Sequence, residues 1–343
     1  MFLGEYESMK AIEATKTVRV PKPLCVVPEV KGSGGAILET KKWKLVSTDS
    51  SGCISKGETY ETDNGLVFVK KNSSADGLVM FLGEYESMKA IDATKTVRVP
   101  KPLCVVPEVK GPGGAIVMEH LSMSPLRQHS GRLGELLAQM HSHNEIATKK
   151  KRKKESWVGK SDDIECVERF GFHVSTCCGI IAQNNDWEDN WIEFFARNKL
   201  KEQIDLVEKN EGNRELIEMW SELQLKIDKY FTDIKDKIYP ALLHGDLWSG
   251  NASETAEEPV VYDSSAFYGH SEFDLSIGHM FGGFNRAFYE CYHNKLPKSS
   301  GYDRRDSLYQ LFHHLNHWNH FGGQYKRQSL SLMRRCLQSI QSK

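Results

Sequence analysis

One octapeptide constrains this chain more than any other stretch: His244-Gly245-Asp246-Leu247-Trp248-Ser249-Gly250-Asn251, followed twelve residues later by Asp263 at the end of Pro259-Val260-Val261-Tyr262-Asp263. Asp246 suits a group that orients and deprotonates an attacking hydroxyl. Asn251 and Asp263 suit the hard oxygen ligands that hold Mg2+ on nucleotide phosphates. An Asp, an Asn five residues on and an Asp on a strand beyond form the layout of a phosphotransferase catalytic loop and metal strand. His-Gly-Asp alone would also fit an ordinary turn, because glycine and aspartate are common there. Eight positions joined to a downstream Asp263 are far more specific.

The rest of the chain gives such a loop room to work. At 343 residues, 39% of them hydrophobic, it can build two lobes with real cores. Its 45 basic and 46 acidic side chains nearly cancel, which argues against global attraction to nucleic acid or to acidic membranes, so partner choice must come from a site. No run of about 18 apolar residues occurs, and Met1-Phe2-Leu3-Gly4-Glu5-Tyr6-Glu7 lacks the basic-then-apolar order of a signal peptide. The expectation is a cytosolic protein with no membrane partner. Eight cysteines without a CxxC pair fit reduced thiols better than a disulfide framework or structural zinc, and Cys177-Cys178 reads as two buried small side chains.

Residues 1–37 recur at 80–116 with two differences, Glu13 against Asp92 and Ser33 against Pro112. Two copies cannot stack as a repeat array, which needs three or more adjacent units. The second copy has a sensible context, whereas the Val18-Arg19-Val20 of the first would compete for a strand slot already filled by Val97-Arg98-Val99. Residues 1–37 are therefore expected to dock loosely or stay disordered. Beyond them, residues 38–119 read as a nucleotide-binding lobe and 120–343 as a catalytic and substrate lobe. Thr59 to Val69 predicts a hairpin turning at Asp63-Asn64-Gly65, and Leu78 to Ile91 has helical spacing. From Pro125 onward helical patterns dominate, including 131–141, 187–209, 214–234 and 305–321. Lys149 to Lys154, six basic residues in sequence, predict a solvated basic loop within 148–165, with a nucleic-acid role as the lesser reading.

In the small lobe, Lys70 ends the run Val67-Phe68-Val69-Lys70, where a kinase keeps the lysine that pairs with the α and β phosphates. Its glutamate partner on the following helix is Glu84 or Glu86, with Glu84 favoured; a surface lysine and two solvated glutamates are the bland alternative. Ser51-Gly52-Cys53-Ile54-Ser55-Lys56-Gly57 sits where a phosphate-covering turn belongs, with two glycines instead of three. There Cys53 reads either as an inert strand residue or as a thiol open to oxidation or an intermolecular disulfide, and hence to a redox-linked dimer.

With these residues in view, the chain resembles the fructosamine-3-kinase and ketosamine-3-kinase family over roughly residues 50–337. The specific pieces are Gly52-Cys53-Ile54-Ser55, Arg169-Phe170-Gly171-Phe172, Thr176-Cys177-Cys178-Gly179, Pro240 to Trp248, Phe267-Tyr268-Gly269-His270-Ser271-Glu272 and Leu315 to Gly322. The resemblance implies an α+β, bilobal protein-kinase-like fold with a small β-rich N-lobe containing one main helix and a larger, mostly α C-lobe. It implies ATP-dependent phosphorylation of the 3-hydroxyl of ketosamines on glycated proteins or small molecules, an ester that decomposes and frees the amine. By position it makes Asp246 the base and Asn251 and Asp263 the magnesium ligands. Lys70 and Glu84 position phosphates, Gly52, Cys53 and Ile54 cover them, and Glu119, His120 and Leu121 form the adenine hinge. Trp248 and His317 look like substrate-side residues, an indole to stack on a sugar face and an imidazole to bond its hydroxyls. Trp318 and His320 read as core. The chain departs from the family pattern at Asp263-Ser264-Ser265, where Asp-Pro-Ala is usual, and at Ser51-Gly52, where Gly-Gly is usual.

Two other function classes fit the same fold. A pseudokinase or nucleotide-binding module would bind nucleotide without turnover, and a kinase of an aminoglycoside or choline would differ only in its acceptor pocket. Gly269-His270-Ser271-Glu272 and Asn316 to His320 favour ketosamines over the aminoglycoside or choline acceptor.

Overall fold

The computed structural model describes residues 42–49, 55–108, 111–155 and 166–341. Residues 1–37, the turn at Gly52, Cys53 and Ile54, and 156–165 of the basic segment lie outside the described residues. Two compact units are formed. One comprises the described residues up to Phe81 together with Lys101–His120, and the other comprises Leu82–Pro100 and the described residues from Leu121 onward. The chain passes from one unit to the other near residue 120, and Leu82–Pro100 belongs with the second.

In the first unit β1 (Trp43–Asp49), β2 (Lys56–Thr62), β3 (Gly65–Asn72), β4 (Pro102–Pro107) and β5 (Gly114–Glu119) form an antiparallel sheet in the order β1-β2-β3-β5-β4. The β2–β3 hairpin turns where Asp63-Asn64-Gly65 predicts it. Gly65 takes φ 105°, a region open to glycine, and Thr62 Oγ1 donates to the Gly65 carbonyl at 2.8 Å. Val67 and Val69, two residues apart, point to one face and join Cys104 and Val117 in a core covered by Trp43 and Tyr60. Lys70, on the next position, stands on the opposite face. The helix Gly77–Ala93 then covers the expected span 78–91. Val97-Arg98-Val99, expected as a strand, makes only an isolated bridge from Arg98 to Val260. Val97 and Val99 are buried all the same, as core side chains of an irregular connection.

The second unit is mostly helical. Three helices start at asparagine caps: Asn190 accepts from Ile192 and Glu193, Asn213 from Leu216, and Asn285 from Phe288. The helix Ser130–Glu155 buries Leu133, Leu137 and Met140. It continues through Thr148–Glu155, so these residues are not the loop that a run of like charge suggests. On a helix the charges are spread around the circumference, Lys149 pairs with Glu145 one turn back, and cations near a helix C-terminus are favoured by the dipole.

A buried aromatic centre of Trp191, Phe195, Phe273 and Tyr309 packs where the helix Tyr302–Phe321 crosses the chain after Phe267. Within it Arg305, 1% exposed at its side chain, forms a two-pronged ion pair with Glu272: Nε donates to Oε2 at 2.7 Å and Nη2 to Oε1 at 2.8 Å. Tyr309 Oη accepts from Trp191 Nε1 at 2.9 Å and bonds His270 Nδ1 at 2.7 Å. His270 and Glu272, read from sequence as pointing to the acceptor, are therefore framework residues. No helix among the described residues is long and apolar enough to cross a membrane.

Candidate functional site

The site is assembled within the second unit, from a strand, a turn and a hairpin. The strand Ala241–Leu243 is wholly buried and pairs with the strand Phe267–Gly269, which fixes where His244 emerges. Gly245 then turns the chain at φ 85°, and a Cβ there would lie 2.0 Å from the Ser265 carbonyl oxygen. Only glycine fits that approach. Across the turn the Ser265 amide donates to the His244 carbonyl at 2.8 Å. The Ala266 amide donates at 2.9 Å to Ser87, on the helix Gly77–Ala93.

One buried carboxylate holds the entry to the turn. Asp274 accepts the His244 amide at 2.6 Å on Oδ2 and the Gly245 amide at 2.7 Å on Oδ1. Oδ2 also accepts from His141 Nε2 at 3.1 Å, and His141 Nδ1 takes the hydroxyl of Tyr292 at 2.7 Å. The His244 ring is likewise fixed. Nε2 donates to the Tyr262 carbonyl at 3.0 Å, Nδ1 accepts the Asp246 amide at 3.3 Å, and burial holds its pKa below the usual value, so the ring is neutral.

Asp246 is presented next. Asn251 Nδ2 donates to both its Oδ2 and its carbonyl oxygen, each at 2.9 Å, and the thiol of Cys178 lies 3.9 Å from Oδ1. Burial raises the Asp246 carboxyl to about 7; the Asn251 hydrogen bond opposes this, and the charges of Asp263 and Asp274 add to it. A carboxyl tuned to that range is suited to take a proton from a hydroxyl near neutral pH.

The antiparallel hairpin of the strands Ala252–Glu254 and Pro259–Val261 pairs Ala252 with Val261, and the Tyr262 amide donates to the Asn251 carbonyl at 3.1 Å. Asn251 and Asp263 therefore meet at the open end of one hairpin. Asp263 adopts φ 58°, left-handed backbone that a non-glycine residue rarely holds outside functional sites. With Nδ2 of Asn251 committed to Asp246, its Oδ1 remains as the atom it can present to a cation. Among the described residues no three His, Cys, Asp or Glu side chains form a metal cage. A magnesium ion fits this donor set, since it takes one or two protein ligands and completes its shell with phosphate and water.

Trp248 leads away from Asp246 along a line of rings. It contacts Phe281 at 4.9 Å between centroids, and Phe281 contacts His317 at 5.3 Å. The two residues expected on the substrate side are thus joined through one that sequence reasoning did not single out. Trp318 is buried, as expected. His320 accepts the Ile180 amide at 3.0 Å, which makes it a structural bond. The remaining expected residues are distributed over the two units. Lys70, Glu119 and His120 belong to the first unit, where β5 ends at Glu119 and Glu119 Oε2 accepts the Lys101 amide at 3.1 Å. Glu84 and Leu121 belong to the second. Glu86 is engaged by Lys89 at 3.0 Å and His173 at 3.1 Å, and Glu84 on the same helix is buried. Cys178, Asp274 and His141 were missed. Cys178 carries the clearest signal in retrospect, the Thr176-Cys177-Cys178-Gly179 stretch, and burial pushes its thiol pKa well up and keeps it neutral beside Asp246.

Comparison with known proteins gives a concordant picture. The fructosamine kinase family matches residues 35–339. The chain is 50% identical to the ketosamine-3-kinase of Mus musculus over 85% of its length and 94% of that protein. It is 35% identical to a chloroplastic protein-ribulosamine 3-kinase of Arabidopsis thaliana, over 84% of its length and 81% of that protein. A crystal structure of a candidate fructosamine-3-kinase from Thermobifida fusca superposes with a TM-score of 0.70 at 22% identity, covering 87% of this chain and 94% of that one.

Proposed function

Since the chain belongs to the fructosamine kinase family, we propose that it transfers the γ-phosphoryl group of ATP to the 3-hydroxyl of a ketosamine, on a glycated protein or a small amine. The observation that carries this reading is Asp246. Its carboxylate is fixed by Asn251 and placed two residues before the aromatic face of Trp248, and its ionisation lies near neutrality. It orients the sugar hydroxyl and takes its proton at Oδ1 or Oδ2 as the phosphoryl group arrives. Magnesium, when bound, neutralises phosphate charge; Asn251 Oδ1 and the Asp263 carboxylate are the groups to hold it. On the nucleotide, the family resemblance assigns Lys70, Glu84, Gly52, Cys53 and Ile54 to the phosphates and Glu119, His120 and Leu121 to adenine. The ester at O3 then loses phosphate and releases the free amine, so the outcome is deglycation in the cytosol.

The ionisation of Asp246 sets the pH dependence. The base works only when deprotonated, so kcat/KM is expected to fall about tenfold for each pH unit below a midpoint at or somewhat below about 7. The stability effect has the opposite sense. An aspartate that ionises near 3.9 unfolded and about 7 folded keeps its proton only in the folded chain between those values, so its contribution to stability declines as pH rises through that window. A profile flat from pH 5.5 to 8 would exclude Asp246 as the titrating base. The reaction itself is tested by ADP release and product mass with Mg-ATP and ribulose-lysine or fructose-lysine. One added phosphoryl group on the ketosamine is the expected result, and nucleotide-dependent stabilisation without product would mark a pseudokinase.

A further inference from the structure

The ring line that starts at Trp248 continues beyond His317. His317 contacts Tyr325 at 5.1 Å and Phe321 at 5.7 Å, and Phe321 contacts Tyr325 at 5.9 Å. Phe281 and Phe321 are large apolar side chains left 37% and 50% exposed. Burial of such rings is normally favourable, so a contiguous exposed group of them marks a contact surface. The wall is tied to the base at two places. Trp248 follows Asp246 by two residues, and Asn316, next to His317, donates to Cys178 Sγ at 3.2 Å, the same sulfur that faces Asp246 Oδ1. His317 donates from Nδ1 to the His313 carbonyl at 2.8 Å, which turns Nε2 outward as an acceptor. Burial keeps this ring below the ordinary histidine pKa, against the opposing effect of its bond to the His313 carbonyl, so it is neutral. Among the described residues no ion pair involves Trp248, Phe281, His317, Phe321 or Tyr325.

A wall of π faces with a neutral imidazole and no paired carboxylate selects for a particular chemistry. It offers little to a bare sugar beyond Trp248. It suits a soft or substituted cation flanked by methylenes. We propose that Phe281, His317, Phe321 and Tyr325 bind the substituted ammonium group and alkyl arm of the ketosamine, so that the acceptor is chosen by its amine as well as by its sugar. This rests on the ketosamine reading above. In that arrangement the sugar lies between Asp246 and Trp248, and the C1-linked ammonium with its lysine-like chain runs along the wall.

The test compares two acceptors on the full chain: an N-alkyl 1-amino-1-deoxyketose, and its ether isostere with oxygen in place of the amine nitrogen. The wild-type protein is expected to prefer the ammonium acceptor in kcat/KM. Phe321→Leu and Tyr325→Leu keep apolar volume and remove the π face; each is expected to reduce that preference by about 2- to 30-fold, mainly through KM, the range such contacts carry. Phe321→Tyr should retain it. Wild-type turnover of both acceptors without preference, or a preference unchanged in both leucine variants, overturns the amine subsite and leaves the kinase reading standing. No phosphorylation of either acceptor by the wild-type protein overturns the ketosamine reading and the subsite with it.

Discussion

Asp246→Asn is expected to lower kcat by about 10²- to 10⁴-fold, the usual worth of a positioned general base, with the fold intact. The substitution is nearly isosteric. Asp274 anchors the turn through the His244 and Gly245 amides and does not depend on the Asp246 side chain. What the amide loses is the ability to take the proton. It also faces Asn251 Nδ2 and can still accept from it through its own oxygen. The measurement is single-turnover phosphorylation of a ketosamine, set beside the thermal midpoint with and without Mg-ATP. A variant that stays folded, is still stabilised by nucleotide and turns over at near wild-type rate would leave Asp246 no role in the chemistry.

Arg305→Ala should produce the largest change in stability, a loss of about 3–5 kcal/mol. The guanidinium makes two bonds to Glu272, one to the Ser300 carbonyl at 2.6 Å and one to Ser299 Oγ at 2.8 Å. Truncation leaves the Glu272 carboxylate buried and without its cation. Burial works to raise the Glu272 pKa, but the Arg305 hydrogen bonds, with help from His270, override it and hold the group below its ordinary value. A depressed carboxyl stabilises the fold above its unfolded pKa and loses that contribution as pH falls through the folded one, so the variant should also lose part of the acid-side slope. Urea unfolding followed by tryptophan fluorescence reports on this centre through Trp191. A change under about 1 kcal/mol would mean that the pair contributes little beyond filling space.

The triad of Asp246, Asn251 and Asp263 was legible in the sequence because its members lie within one loop and one hairpin, where spacing and geometry are the same thing. The Asp63-Asn64-Gly65 turn was legible for a similar reason, since φ above zero needs glycine and the flanking strands alternate. Asp274 and His141 were not, because Asp274 meets the turn from 29 and 30 residues away and His141 joins it from 133 residues away, and neither residue type announces that. The helix through Lys149–Lys154 was misread because like charge in sequence was treated as like charge in space, which helical geometry does not preserve. Val97-Arg98-Val99 shows the reverse error. A β-branched pair was taken for a strand when both valines are held by burial alone. Phe281 and Tyr325 carry no motif, Phe321 lies within Leu315–Gly322 without a role of its own there, and only their ring contacts in space distinguish them.

The carboxylate of Asp274 also bears on how the reaction proceeds. Because it fixes two consecutive amides and is itself backed by His141 and Tyr292, the turn before Asp246 has little freedom to swing during a catalytic cycle. The entropy of orienting the base is therefore lost once, on folding, and not at each turnover. Approach to the reactive geometry becomes the task of the acceptor and nucleotide, and the reorganisation that accompanies proton transfer is confined to the substrate and to the few atoms around one oxygen.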